Sequence, residues 1–119
     1  MTRTVLAAVD DLFFASKIRA VAEHLGLAIE FARSDQAVIE AARRDPPAII
    51  VIDLHSQKFH ALDLGGQLKA DDQLRSIRLV GFFSHVETEL QVAAEKAGFD
   101  QVLPRSAFTN RLPQILSGA

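Results

Sequence analysis

Short apolar runs alternate along the chain with stretches in which apolar residues recur at helical spacing. The runs at 4–9, 48–52 and 78–83 are almost continuously apolar, which predicts strands that are buried in a sheet. Residues 27–31 alternate well enough for a strand near a sheet edge, and 101–103 predicts a short last strand. The chain is therefore expected to contain five strands.

Helices are predicted between consecutive strands and after the last one. The segment from Ser16 to Leu25 has an apolar stripe that Gly26 closes, and Ser34 can cap a second helix that ends before Pro46. Two further helices are expected around 62–68 and at 87–96. The last helix should have Thr109 or Asn110 as its N-cap, because Pro113 is tolerated only near a helix start. Gly65 and Gly66 should each cost the third helix about 1 kcal/mol relative to alanine.

Five strand–helix units of this length predict an α/β fold with a doubly wound, flavodoxin-like, five-stranded parallel sheet and helices on both faces. The third strand is the most uniformly β-branched and should be central. Right-handed crossovers then favour the strand order 2-1-3-4-5, with the reversal between the first and third strands. We expect one domain over residues 1–119.

Composition excludes several classes of function. The net charge is −2 and no lysine or arginine cluster stands out, so nucleic-acid binding is not expected. The chain has no cysteine, which rules out disulfides and thiolate metal sites. The apolar run after Met1 is too short for a signal peptide or a membrane span. The predicted location is the cytoplasm.

Polar residues follow the strands where an open α/β sheet binds its ligand. Asp10 and Asp11 follow the first strand, Asp53 the third, Ser84 the fourth and Arg105 the last. Carboxylates this close should raise one another's pKa, and a hard divalent cation such as Mg²⁺ would relieve the repulsion. Asp53 could then attack a phosphoryl donor to form an acyl phosphate, with Ser84 and Arg105 contacting the phosphoryl oxygens. The alternative is that Asp10 and Asp11 only cap the first helix and Asp53 only ends a strand.

Over residues 4–117 the sequence resembles the receiver domain of bacterial response regulators. The matching stretches are Val9-Asp10-Asp11, Ile52-Asp53, Phe83-Ser84, Ala97-Gly98 and Val102-Leu103-Pro104-Arg105. The resemblance implies that the acid pair holds Mg²⁺, that Asp53 is phosphorylated, and that His55 lends its backbone carbonyl to the metal. It also implies that Ser84 turns toward the phosphoryl group on activation.

Several positions depart from the receiver pattern. Arg105 stands in place of lysine and is not an equivalent substitute, and Ser106 stands where proline is common. His85 replaces a small residue beside Ser84, and Val102 replaces an aromatic residue that often reports activation. The acidic half of the site is therefore intact, whereas the basic half is altered.

Two main hypotheses about the function of the protein follow. The first is a stand-alone receiver domain without enzymatic output, phosphorylated by a histidine kinase or phosphotransfer protein and acting on a downstream protein, with possible pairing through the face at 87–117. The second is a receiver-like module that binds a partner without phosphorylation. A small-ligand binder of flavodoxin type is a third interpretation without a ligand-specific motif.

Other motifs carry less weight. A zinc site built from His55, His60 and His85 lacks the usual ligand spacing. Asp53-Leu54-His55 resembles the start of a cobalamin-binding motif, but lysine stands where that motif has glycine and the strand is the wrong one. One or two residues of Leu12-Phe13-Phe14 should enter the core, and an exposed Phe there, or Phe59, could contact a partner.

Overall fold

The computed structural model describes residues 4–84 and 87–118, which form a five-stranded parallel sheet in the order β2-β1-β3-β4-β5. The strands are β1 (Thr4–Ala8), β2 (Ala28–Phe31), β3 (Ile49–Asp53), β4 (Arg78–Phe83) and β5 (Gln101–Pro104). All five residues of β3 are buried, because it lies at the centre of the sheet with helices on both faces. The predicted fold class, strand order and central strand are confirmed.

Six helices connect or follow the strands in the described part of the chain. They are α1 (Leu12–His24), α2 (Asp35–Arg44), α3 (Ala61–Ala70), α4 (Thr88–Ala97), α5 (Arg105–Asn110) and α6 (Leu112–Ser117). Ser34 caps α2 as predicted, its Oγ accepting a hydrogen bond from the Ala37 N–H at 3.0 Å. Gly98, at a φ of 110°, ends α4 in the left-handed conformation that glycine adopts readily.

Two helix starts differ from the prediction. The first helix begins at Leu12 instead of Ser16, because the Asp11 side chain caps it by accepting a hydrogen bond from the Phe14 N–H at 3.1 Å. The sequence predicts Thr109 or Asn110 as the N-cap of the last helix, whereas Arg111 is the N-cap of the helix that contains Pro113. Instead, α5 already begins at Arg105, and Arg111 separates it from α6. Pro113 lies in the first turn of α6, where the missing N–H costs nothing.

Alternating strand residues build one core on each face of the sheet. On one face, Val5, Ala7, Val51, Val80 and Phe82 pack against α1, α5 and α6. On the opposite face, α2, α3 and α4 cover a second core that includes Leu6, Ile50, Ile52, Leu79 and Phe83. The strands are parallel, so the helices that follow β1 and β5 both begin at the carboxyl edge of the sheet. Because α1 and α5 pack on the same face, their first residues are on the same side of that edge.

Residue 65 of α3 is a glycine because the Phe99 ring occupies the space that a side chain at this position would fill. A Cβ at Gly65 would stand 2.5 Å from Phe99 Cε1, and one at Gly81 in β4 would stand 3.0 Å from the same ring. Phe99 is buried between these two glycines. Gly65 therefore lowers the helix propensity of α3 but makes room for the Phe99 ring. At Gly66, by contrast, no atom lies within 4 Å of an added Cβ.

We expect Gly65→Ala and Gly66→Ala to shift stability in opposite directions. The Gly65 variant should lose about 1–2 kcal/mol of unfolding free energy, because overpacking against Phe99 exceeds the gain in helix propensity. The Gly66 variant, its matched control in the same helix, should gain up to about 1 kcal/mol. Urea denaturation of both variants measures the difference, and stabilisation of both would contradict the packing argument.

The described residues contain no helix with both the length and the apolar character needed to cross a membrane. The prediction of one domain over residues 1–119 includes positions outside the described ranges and stays a prediction.

Candidate functional site at the carboxyl edge of the sheet

Asp53 is the buried acid of the sheet edge. It ends β3, is paired in register with Phe82 of β4, and is 8 % exposed. Its Oδ1 accepts a hydrogen bond from the His55 N–H at 2.9 Å. This hydrogen bond orients the carboxyl group at the end of the central strand, where parallel α/β sheets place their ligand-binding residues.

Burial raises the pKa of Asp53 above its ordinary value of 3.8, because desolvation disfavours the charged form. The His55 N–H and the positive charge of Arg105 lower the pKa in part, and the negative charge of Asp10 adds to the rise. The predicted repulsion between the acids therefore contributes at Asp53, but desolvation is the larger cause.

Asp53→Asn is expected to stabilise the fold at neutral pH. Because the carboxyl pKa is raised in the folded state, the folded state binds more protons than the unfolded state. Ionisation of Asp53 therefore lowers the free energy of unfolding as the pH rises through the pKa that this carboxyl has in the folded state. Asparagine can still accept the His55 hydrogen bond, and the variant should gain on the order of 1 kcal/mol.

Thermal unfolding across the acid range tests this prediction. The gain should shrink on acidification and vanish below the ordinary carboxyl pKa of 3.8, where both states are protonated. Asp45→Asn, at the exposed end of α2, serves as the control and should show no comparable gain. A destabilised Asp53→Asn protein at neutral pH would contradict the argument.

Asp10 is the exposed acid of the same edge. It follows β1, and its Oδ1 accepts a hydrogen bond from the Ser56 hydroxyl at 3.0 Å. Ser56 lies in the loop after β3, so this contact joins the ends of two neighbouring strands. The Ser56 Oγ also accepts a hydrogen bond from the Lys58 N–H at 3.2 Å, which holds the hydroxyl in place.

Asp11 faces the basic residue of the site. Its Oδ2 accepts a hydrogen bond from Arg105 Nη2 at 2.8 Å, while its Oδ1 caps α1. The Arg105 hydrogen bond, followed by that from the Phe14 N–H, lowers the pKa of Asp11. The expectation that crowding raises the pKa of each acid is therefore wrong for Asp11, because a cation and a helix N-terminus stabilise its charge.

Arg105 is held between an acid and an aromatic ring. Besides its hydrogen bond to Asp11, its Cζ lies 4.3 Å from the ring centroid of Phe14, a cation–π distance. Phe14, Ser84 and Arg105 line a cleft of about 520 Å³ at this side of the edge. Arg105 thus lies near the predicted site, and its guanidinium is oriented by Asp11 and Phe14.

The imidazole of His55 joins the loops that follow β3 and β4. Its Nδ1 accepts a hydrogen bond from the Ser84 N–H at 2.9 Å, and its Nε2 lies 3.7 Å from Glu87 Oε1. Ser84 itself is exposed. The resemblance to receiver domains implies only a backbone role for His55. No local pattern indicates the role of its side chain, because the partner is 29 positions away.

The oxygen ligands at this edge suit a divalent cation held by two carboxylates. No group of three or more His, Cys, Asp or Glu side chains within residues 4–84 and 87–118 is arranged to hold a metal ion. Arg105 engages Asp11, the third acid of the edge. Asp10 and Asp53 are the two acids of this edge that Arg105 does not engage. The unfavourable effect of Asp10 on the Asp53 charge is one that a cation between them would relieve.

The other candidate residues have different positions. His60 Nδ1 lies 2.8 Å from Asp35 Oδ2, and His85 lies outside the described residues, so the structure assembles no histidine site in the part it describes. Phe14 and Phe59 are buried, whereas Leu12 and Phe13 are 82 % and 89 % exposed. Val102 is buried in β5. Of the two phenylalanines considered for a partner contact, Phe13 is exposed and Phe59 is buried.

The sheet order and the surrounding helices are those of the response regulator receiver fold. No protein-family model matches the sequence, and a search of curated proteins finds no match. Solved structures match nearly the whole chain, so the receiver fold is established by the three-dimensional comparison.

Three of these structures illustrate the similarity. The chemotaxis response regulator CheY4 of Vibrio cholerae has a TM-score of 0.85 and 14 % identity, over 99 % of this chain and 98 % of that one. The phosphorylated cyanobacterial phytochrome response regulator RcpA has a TM-score of 0.82 and 16 % identity, over 99 % and 91 %. The Mn²⁺-bound form of response regulator Rcp1 has a TM-score of 0.83 and 14 % identity, over 97 % and 92 %.

Proposed function

We propose that this chain is a response regulator receiver domain in phosphorelay signalling, with Asp53 as the phosphoryl acceptor. The observation that supports it best is the position of Asp53: a buried carboxyl at the end of the central strand, oriented by the His55 N–H. The receiver-fold relative RcpA is phosphorylated, which is consistent with this assignment.

In the proposed reaction, an ionised oxygen of Asp53 attacks the phosphorus of a phosphohistidine in line. The new O–P bond gives an acyl phosphate, the P–N bond breaks, and the departing imidazole takes a proton from solvent. Burial raises the pKa of Asp53 in the metal-free protein. A bound divalent cation would stabilise the ionised carboxylate that the reaction needs.

Asp10, Asp53 and the His55 backbone carbonyl would hold the divalent cation, which we propose to be Mg²⁺. When bound, it would neutralise charge on the carboxylates and the phosphoryl oxygens. The receiver-fold relative Rcp1 is known in a Mn²⁺-bound form. Asp11 would join this set only after releasing Arg105, since its two oxygens are engaged by Arg105 and the Phe14 N–H.

Ser84 and Arg105 are proposed to contact the phosphoryl oxygens. Ser84 is exposed next to the site, and its backbone is tied to His55, so a hydroxyl rotation alone changes what it can reach. Arg105 must exchange its Asp11 contact for the phosphoryl group. The arginine fork can bind phosphate through two nitrogens, which compensates for the lost ion pair.

The proposed partners follow from this chemistry. A histidine kinase or phosphotransfer protein in the cytoplasm would supply the phosphoryl group, and a downstream protein would bind the phosphorylated domain. The domain would modify only its own aspartate and would not act as an enzyme on a separate substrate. Pairing of two copies through the face at 87–117, which exposes Val92, also stays a proposal.

The second candidate function is a module that binds its partner without phosphorylation. The ion pair between Arg105 and Asp11 favours it, because the pair engages one predicted metal ligand and one predicted phosphoryl contact with each other. Leu12 and Phe13, exposed at the start of α1, would provide an apolar contact for such a partner.

Beryllofluoride, a mimic of the aspartyl phosphoryl group, separates the two candidates. The ¹⁵N-labelled protein is titrated with beryllofluoride and Mg²⁺, and amide shifts are followed at Asp53, Ser84 and Arg105. We expect saturable shifts that Asp53→Asn abolishes and that Asp45→Asn, a surface control, leaves unchanged. A lack of saturable shifts would reject the phosphoacceptor function and leave the interaction module as the better account.

A further inference from the structure

A basic cleft lies at the carboxyl edge of the sheet beside β2, on the side opposite to β5. It has a volume of about 580 Å³ and lies between the first half of α1, the end of β2 and the loop after β3. Each of these segments contributes one cation to the lining, namely Arg19, Arg33 and Lys58. Of the described residues that line this basic cleft, Asp10 alone is acidic.

The three cations have no carboxylate partner in the described part of the chain. Other surface arginines do: Arg43 pairs with Asp71 at 2.7 Å and Arg44 with Glu30 at 3.0 Å. The protein has a net charge of −2, so this local excess of positive charge is not a general property of its surface. An anion in the basic cleft would relieve the repulsion among the three cations.

The floor of the basic cleft is apolar. Phe59 and Ala32 are buried there, and Phe31 is partly buried. The Arg19 Cζ lies 5.0 Å from the centroid of the Phe31 ring, so the ring supports the guanidinium from one side and its N–H groups remain available at the rim. A ligand that fits must therefore combine an anionic group with an apolar body.

We propose that the basic cleft binds a small organic anion in which a phosphate or carboxylate group is attached to a flat apolar ring. Arginine binds either group through its planar fork, and the ring would cover Phe31 and Phe59. The volume lies in the range of small-molecule sites, about 300–1,000 Å³. The cations surround one concavity from three segments instead of forming a strip, which favours a small molecule over an acidic peptide.

Titration with phenylphosphonate and benzoate tests this proposal. Both carry an anion on a ring, and neither can donate a phosphoryl group, so without Mg²⁺ the result is independent of the chemistry proposed for Asp53. We expect at least one of them to cause saturable amide shifts at Ala32, Arg33 and Lys58. The stronger binder indicates whether the natural ligand carries phosphate or carboxylate.

Matched variants locate the binding. Arg19→Gln and Arg33→Gln should each weaken it about tenfold, and Arg43→Gln, a surface control outside the basic cleft, should leave it unchanged. Methylphosphonate, which lacks the ring, should bind more weakly than phenylphosphonate. The proposal is overturned if neither ring compound gives saturable shifts, if Arg43→Gln weakens binding equally, or if methylphosphonate binds as well. Tighter binding of a polyglutamate peptide would also overturn it, in favour of an acidic protein partner.

Discussion

Replacing Phe14 by alanine is expected to lower the free energy of unfolding by about 3–5 kcal/mol. The Phe14 ring lies 4.7 Å from the ring of Phe82 and 5.7 Å from that of Phe108, measured between centroids. Phe82 and Phe108 are fully buried, so the surroundings cannot easily collapse into the cavity. The loss is a large fraction of the stability of a domain of this size, typically about 5–15 kcal/mol.

Phe13→Ala is the matched control, because it makes the same chemical change one position earlier. Phe13 is 89 % exposed, and its replacement should change stability by less than about 0.5 kcal/mol. Urea denaturation of the two variants, followed by circular dichroism, measures both values. Similar effects at the two positions would contradict the assignment of Phe14 to the core. Phe14→Leu, which retains apolar volume, should lie between wild type and Phe14→Ala.

The aromatic cluster also connects stability to the site. Phe14 packs on Phe82, the residue paired in register with Asp53. The Phe14 ring also contacts the guanidinium of Arg105. Loss of the Phe14 ring therefore removes one of the two groups that orient Arg105. The Phe14 ring is thus part of the core on this face of the sheet and also contacts the basic residue of the site.

The fold was predictable from the sequence because its strands have two different apolar patterns. The continuous, β-branched run at 48–52 favours a strand covered on both faces, and with it at the centre the right-handed crossovers leave few strand orders. The positions of Asp10, Asp53 and Ser84 at the strand ends followed from that order. Local pattern and global topology agree here, so each supports the other.

The parts that the sequence did not predict depend on contacts between distant residues. Arg105 and Asp11 are 94 positions apart, and no local pattern indicates that they pair instead of sharing a ligand. Packing of Phe99 against Gly65 has the same cause. The early start of α1 had a local signal, since aspartate directly before Leu12 is a good N-cap, but the helical spacing of apolar residues is clear only from Ser16 to Leu25.

Arg105→Ala is expected to raise the affinity for Mg²⁺ several-fold, up to about tenfold. Arg105 holds Asp11 at 2.8 Å, and both side chains are partly exposed, 35 % and 38 %, so the pair contributes about 1 kcal/mol or less. Removing it frees an acid for the cation and removes a positive charge from its surroundings. Isothermal titration with Mg²⁺ or Mn²⁺ measures the change in affinity.

A second substitution identifies the cause. Asp11→Asn keeps the cap of α1 but removes the charge, and in the Arg105→Ala background it should abolish most of the gain. Arg75→Ala, which breaks an exposed pair with Asp72 at 3.1 Å, is the control for loss of one positive charge and should leave the affinity unchanged. Unchanged or weaker Mg²⁺ binding by Arg105→Ala would show that Asp11 is not restrained by Arg105.

The same variant should have the opposite effect on beryllofluoride at saturating Mg²⁺. If Arg105 leaves Asp11 to bind the phosphoryl oxygens, its loss removes a charge-assisted contact and should weaken beryllofluoride binding about tenfold. Tighter metal binding together with weaker beryllofluoride binding would mean that Arg105 exchanges one partner for the other. Beryllofluoride binding that is unaffected by Arg105→Ala would instead limit Arg105 to its pair with Asp11, because a guanidinium that contacts the phosphoryl mimic cannot be removed without loss of affinity.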